Sequence, residues 1–185
     1  KNTDLPHMLV DKSDWEKIVS EMGIKNEDTV VVYDNSDVVS SCRCWFNFIY
    51  FGHDPNLVHV LNGGLKKWLS ENKKVTSDFP VNSNTQYKSY EKKELVKSKK
   101  FIDENIISQS FKVVDARSKE RFEGKVPEPR KGLRSGNIKN SFCVPFGDCL
   151  NQNGTFKEKE KLREVFSSSL KNLKEKNIVF SCGSG

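Results

Sequence analysis

Apolar positions in this chain fall into short β-branched runs separated by stretches of helical periodicity. Residues 29–34, Thr-Val-Val-Val-Tyr-Asp, form a run that ends on a polar residue, as a buried parallel strand does. Upstream, Ser13-Asp14-Trp15-Glu16 has the spacing of a capping box, with apolar Ile18, Val19 and Met22 behind it and a stop at Gly23, which predicts a helix. A second helical segment runs from Cys44 to Phe51 and ends at Gly52. Leu57–Leu61 reads as another strand, and Asn62-Gly63-Gly64 turns into a helix holding Leu65, Trp68 and Leu69. Residues 76–100 are rich in Ser, Asn, Thr and Lys, include Pro80 and lack apolar periodicity, so they read as a linker or surface excursion. Beyond them Lys112–Asp115 is strand-like, Cys143–Pro145 forms a short strand, Lys157–Leu173 is helical and Ile178–Cys182 is the last strand. Strands alternating with helices predict an α/β fold with parallel sheets.

The two halves repeat one theme. In each, a Lys- and Glu-rich helix leads through a polar turn, Asn26-Glu27-Asp28 or Lys174-Glu175-Lys176, into an apolar strand. Aligning them sets Asp34 opposite Cys182, so only the second strand ends on a nucleophile. The expected organisation is a non-catalytic domain over 1–80, a linker over 81–100 and a catalytic domain over 101–185. The first copy reads as lacking an opening strand before His7 and the second stops just after its strand, so both ends are expected to be incomplete.

With 185 residues and 35% hydrophobic content, the chain can bury a core of ordinary size. It has no apolar run of about 18 residues and no signal-peptide profile at Lys1-Asn2-Thr3-Asp4, which predicts a cytoplasmic protein with no membrane partner. The net charge of +6 is spread among lysines mixed with acids, so nucleic-acid binding is not expected. A positive field still favours small anionic substrates. The five cysteines are odd in number and unevenly spaced, unlike a secreted disulfide framework. Cys42-x-Cys44 has no second ligand pair at usable spacing, so no metal is expected.

Cys182 carries the candidate chemistry. It stands at the carboxyl end of a strand and is followed by Gly183-Ser184-Gly185, at the edge where open α/β sheets bind ligands. Successive backbone N–H groups at such glycines can curl around one point and stabilise a thiolate or a persulfide. These four residues alone leave a second reading open, a structural cysteine before a Gly-rich turn.

The strand with Cys182-Gly183-Ser184-Gly185 resembles the start of the active-site loop of the 3-mercaptopyruvate sulfurtransferases, within the tandem-domain rhodaneses. The resemblance extends over Asp115-Ala116-Arg117, Arg121-Phe122, Pro127-Glu128-Pro129-Arg130, Gly132-Leu133-Arg134-Ser135-Gly136 and Val144-Pro145-Phe146 in the second half. In the first half it covers His7-Met8-Leu9, Val31–Asp34, Phe51-Gly52-His53, and Leu61-Asn62-Gly63-Gly64 with Trp68. Asn137 and Lys139-Asn140 depart from the family, which often has His and Pro-Gly there. The resemblance implies two tandem rhodanese-like domains, each a parallel sheet flanked by helices. It also implies sulfur transfer through a Cys182 persulfide, with no cofactor, and a thiol acceptor such as thioredoxin. It further implies that Arg121 and Arg130 hold the donor's carboxylate and keto group and that Ser184 and His7 handle protons, while Gly183 and Gly185 are expected to bind the substrate anion through their backbone N–H groups. Guanidinium suits this task because it donates two parallel hydrogen bonds to a planar carboxylate. His53, at a helix end, and His59, inside a strand, are expected to be structural. Three alternatives remain: thiosulfate as donor, a cysteine phosphatase, and a non-catalytic rhodanese-like binding module.

Overall fold

The computed structural model describes residues 8–170 and 177–183. His7, Ser184 and Gly185, the end of the helix expected to reach Leu173, and the turn at 174–176 lie outside the described residues. The chain divides into two compact units, one centred on Met8–Val96 and the other on Lys97–Gln152 and the segment from Phe156.

The first unit holds α1 (Lys12–Glu21), β1 (Val30–Val32), α2 (Ser41–Tyr50), β2 (Val58–Val60) and α3 (Gly64–Ser70). β1 and β2 pair in parallel, with Val31 opposite His59. Trp15 and Val19 of α1 meet Phe48, Tyr50 and Phe51 around α2, together with Val58 and Tyr87, in one apolar cluster. Trp15 stacks on Phe51 with ring centroids 4.9 Å apart and meets Phe48 edge-on at 5.1 Å, arrangements that suit the aromatic quadrupoles. β1 is more open than its apolar run suggests, since Val31 is 56% exposed.

Two expectations for this unit change. α1 begins at Lys12, so Ser13 lies inside the first turn and the capping box does not form. The Glu16 carboxylate instead accepts hydrogen bonds from the Ser89 backbone N–H at 2.8 Å and the Ser89 hydroxyl at 3.2 Å. The backbone bond from Ser89 is the main influence holding the Glu16 carboxyl below its ordinary range. Residues 85–92, expected to lie in a linker region, are an extended strap bonded to the first unit. Thr85 N–H donates to Ser20 O, Tyr90 N–H to Phe51 O and Lys92 N–H to Tyr50 O, at 2.7–3.0 Å. The strap runs so close to the end of α2 that a Cβ on Gly52 would stand 2.7 Å from Tyr90 O, and Gly52 also has φ +87°, so glycine is required there on both counts. Tyr87 and Ser89 turn inward and are buried. His53 is fixed between the Tyr87 hydroxyl, 3.1 Å from Nδ1, and Asp28 O, 2.9 Å from Nε2, a structural position.

The second unit holds α4 (Lys99–Ser108), β3 (Lys112–Asp115), α5 (Lys119–Phe122), β4 (Phe142–Cys143), α6 (Lys159–Leu170) and β5 (Ile178–Ser181). Its sheet has the order β4-β3-β5, all parallel, with Asp115 aligned with both Cys143 and Ser181. The central position of β3 explains its uninterrupted burial at Val113, Val114 and Asp115. Val114, Val144 and Leu170 form the core, with Phe142, Cys149, Val165, Phe166 and Ile178 packed around it. α4, whose first two residues fell in the expected linker, is capped by Ser98, whose hydroxyl accepts from Phe101 N–H. Buried Asn105 satisfies the turn into β3 by donating to Phe111 O and accepting from Phe111 N–H.

Candidate functional site

The carboxyl ends of the three parallel strands in the second unit define one edge, and the chain leaves each strand there in a turn. Ala116 N–H donates to Ser181 O at 2.8 Å, Val144 N–H to Asp115 O at 3.0 Å and Phe146 N–H to Ala116 O at 3.1 Å. Asp115-Ala116-Arg117 is thereby held beside Ser181-Cys182-Gly183.

Cys182 is the one exposed cysteine of the five, and none is in a disulfide. Burial pushes the thiols of Cys42, Cys44, Cys143 and Cys149 above their ordinary pKa, and Asp34, Asp115 and Asp148 add to this at Cys42, Cys143 and Cys149. Those four are disfavoured as thiolates by the low-dielectric, anionic surroundings that oppose a second negative charge. Cys44 and Cys149 pack against the two apolar clusters.

Arg121 projects from α5, a single turn capped by Ser118. Its guanidinium lies against the backbone of Gly183: a Cβ at that residue would be 2.4 Å from Arg121 Nη2. Arg130 reaches the same residue from the 123–137 loop, with Nη1 donating to Gly183 O at 2.8 Å. The structure thus brings Cys182, Gly183, Arg121 and Arg130 together, although up to 62 positions (121 to 183) separate them in sequence.

Behind Arg121 lies a buried ionic chain without an assigned role in the sequence reading. Glu128, whose side chain is 3% exposed, accepts from Arg121 Nη2 at 2.5 Å and Nε at 3.2 Å, and from Arg117 Nη1 at 2.7 Å. Arg117 in turn clasps Asp115 through Nε and Nη2 and donates to Gly136 O at 2.7 Å. Hydrogen bonding from Arg121 is the main cause holding the Glu128 carboxyl below its ordinary value, against burial, with Arg117 adding to it. Bonding to Asp115 likewise raises the already high Arg117 pKa. Two guanidinium ions and two carboxylates balance in charge, which is what permits their burial. The sequence signal for Glu128 was an acid placed between two prolines amid Arg117, Arg121 and Arg130.

In the first unit Asp34, which the sequence alignment of the two halves sets opposite Cys182, lies just beyond β1. Although burial opposes ionisation, hydrogen bonds from Ser41 and Ser36 hold its carboxyl below the ordinary range. Ser41 N–H donates to it at 2.7 Å and Ser36 N–H at 3.0 Å. The turn after β1 is therefore filled by the chain's own anion at the start of α2.

Residues 3–71 match the rhodanese-like domain model. The chain is 35% identical to the human 3-mercaptopyruvate sulfurtransferase over 181 residues, covering 97% of this chain and 60% of that protein. It is 36% identical to the bovine thiosulfate sulfurtransferase over 181 residues, covering 96% and 60% respectively. Among solved structures it resembles SseA from Escherichia coli, described as showing the rhodanese fold of 3-mercaptopyruvate sulfotransferases, with a TM-score of 0.86 and 25% identity over 99% of this chain and 67% of SseA. The chain thus spans about three fifths of the length of these two curated relatives. Among the described residues no helix is long and apolar enough to cross a membrane. With parallel sheets flanked by helices and these similarities along nearly its whole length, the chain has the rhodanese fold, and its residues 3–71 match the rhodanese-like domain.

Proposed function

We propose that the protein carrying this chain transfers sulfur from 3-mercaptopyruvate to a thiol acceptor, such as reduced thioredoxin, or to cyanide, through a persulfide on Cys182. The convergence of exposed Cys182 with Gly183, Arg121 and Arg130 at the carboxyl edge of β5 carries this reading. In the first half-reaction the Cys182 thiolate attacks the donor sulfur and the S–S bond forms as the donor C–S bond breaks. The electron pair leaves on pyruvate as its enolate, which takes a proton to give pyruvate. Arg121 and Arg130 hold the carboxylate and keto oxygen and offset the enolate charge, while Ser184 and His7 manage the proton. In the second half-reaction an acceptor thiolate takes the outer sulfur and Cys182 leaves as thiolate, so no cofactor is consumed.

In this reading the chain comprises two tandem rhodanese-like domains, and the first is non-catalytic because Asp34 stands in place of a nucleophile and fills its own anion site. Cysteines without disulfides suit a reducing compartment such as the cytoplasm. One Arabidopsis relative is named mitochondrial, so compartment varies in the family. Thiosulfate is the second reading, favoured by the thiosulfate sulfurtransferases among the relatives. The residue after the nucleophile, Gly183, carries no charge of its own for a compact dianion, and the guanidinium groups of Arg121 and Arg130 beside it suit a planar carboxylate.

The deciding experiment incubates the full-length protein with each donor and measures intact mass and steady-state turnover. One added sulfur located on Cys182, absent in Cys182→Ser, is expected, with kcat/KM higher for mercaptopyruvate by at least about tenfold. Sulfur on another cysteine, or equal use of the donors, would overturn the nucleophile or the donor assignment respectively.

A further inference from the structure

We propose that Glu128 is a positioning residue for the donor site: it fixes the Arg121 guanidinium against Gly183 and thereby sets how tightly a carboxylate-bearing donor is held. The inference rests on the proposed donor role of Arg121 and deepens it.

Arg121 engages Glu128 side-on, through Nε and Nη2, which spends the inner edge of its planar fork on the protein. The outer edge, at Nη1, has no partner among the described residues. A guanidinium pinned by one edge presents the other in a fixed direction, whereas one held only by its flexible stem would sample many. Three features show that the pinning is built into the fold. Glu128 lies between Pro127 and Pro129, whose rings restrict φ on either side. Its other bond, to Arg117 Nη1 at 2.7 Å, continues to the two oxygens of Asp115, a buried residue at the end of the central strand. Gly183 provides the space, because any Cβ there would occupy the place of Arg121 Nη2. The position of Arg121 is thus referred back to β3, whose neighbour β5 carries Cys182, so that nucleophile and guanidinium share one rigid reference.

The charge balance of the chain also points to Glu128. It is the one carboxylate shared by both guanidinium ions, and neutralising it leaves Arg117 and Arg121 facing each other across an uncharged side chain. Arg117 keeps Asp115 as partner, so Arg121, at 26% exposure the more open of the two, is the one released toward solvent.

The test is a double-mutant cycle in the full-length protein, read as KM and kcat for mercaptopyruvate and as the dissociation constant for pyruvate, which keeps the carboxylate and keto group without the reacting sulfur. Glu128→Gln is expected to raise KM and the pyruvate dissociation constant about tenfold, and to lower kcat no further than Arg121→Ala does, because both donor binding and the offset of the enolate charge run through Arg121. Added to Arg121→Ala, the same change is expected to do nothing further, because residues acting through one another are non-additive. A wild-type KM for Glu128→Gln, or effects that multiply with those of Arg121→Ala, would overturn the positioning role. If Arg121→Ala itself leaves KM unchanged, the donor reading fails instead. The cycle is repeated with Glu128→Asp, which keeps the charge with a shorter reach, so that misfolding of one variant leaves the other cycle to decide.

Discussion

Gly183→Ala adds a single methyl group, and its effect on the donor site can be worked from the structure. Gly183 does not have a positive φ, so alanine is free of backbone strain there. The added Cβ would stand 2.4 Å from Arg121 Nη2, 3.5 Å from Arg121 Cζ and 3.7 Å from Arg117 Cδ. A tolerable separation exceeds 3.0 Å, so the guanidinium must retreat by about 0.6 to 1 Å. An ordinary arginine would swing aside at little cost. This one is tied to Glu128 by two bonds of 2.5 and 3.2 Å, and a shift of that size lengthens or breaks them. Charge-assisted hydrogen bonds contribute roughly 1.5 to 3 kcal/mol, and water replaces part of that where the side chain is a quarter exposed. About 1.4 kcal/mol is therefore expected, equivalent to about tenfold in donor affinity. The assay is steady-state kinetics of the full-length variant with mercaptopyruvate, beside Gly183→Ala in an Arg121→Ala background. KM should rise about tenfold in the first and change little in the second, where the obstructed side chain is gone. An unchanged KM in the single variant would refute the steric coupling between the loop and Arg121.

Two further outcomes follow from burial and charge. Tyr87→Phe should destabilise the first unit by roughly 1 to 3 kcal/mol, because it strands the buried Nδ1 of His53; a denaturation midpoint equal to wild type would show that the strap is not integral to that unit. The folded-state pKa of Glu128 is depressed below its ordinary 4.5, so its ionisation stabilises the fold above that pH, and the contribution is lost as pH falls below 4.5 through the folded value. Wild-type stability should therefore fall more steeply than that of Glu128→Gln in thermal melts taken from about pH 5 to about pH 3, and parallel curves would contradict the sign.

What the sequence determined by itself is local. β-Branched runs alternating with helical periodicity specify strands and helices, and chain alternation specifies parallel pairing, because a crossover helix returns the chain in the same direction. Lys112–Asp115 was legible as a strand to the residue, and the place of Cys182 at a strand end followed from the apolar run before it. Ser13-x-x-Glu16 also had local spacing, yet Glu16 turned to Ser89, 73 positions away. The strap at 85–92 shows why: its backbone pairs with main-chain groups of α1 and α2 and with the Ser20 and Asn26 side chains, 67 and 62 positions from their partners Tyr87 and Lys88, and pairings that distant leave no local pattern to read. The same applies at the site. Arg121, Glu128 and Arg130 were visible as charges close together in sequence, but which carboxylate would neutralise which guanidinium, and that Arg121 would fill the space left by the absent side chain of Gly183, depended on distances set by folding. Charge pairing in a buried chain is decided by desolvation and geometry together, and both exist only once the strands have brought Asp115 beside Ser181.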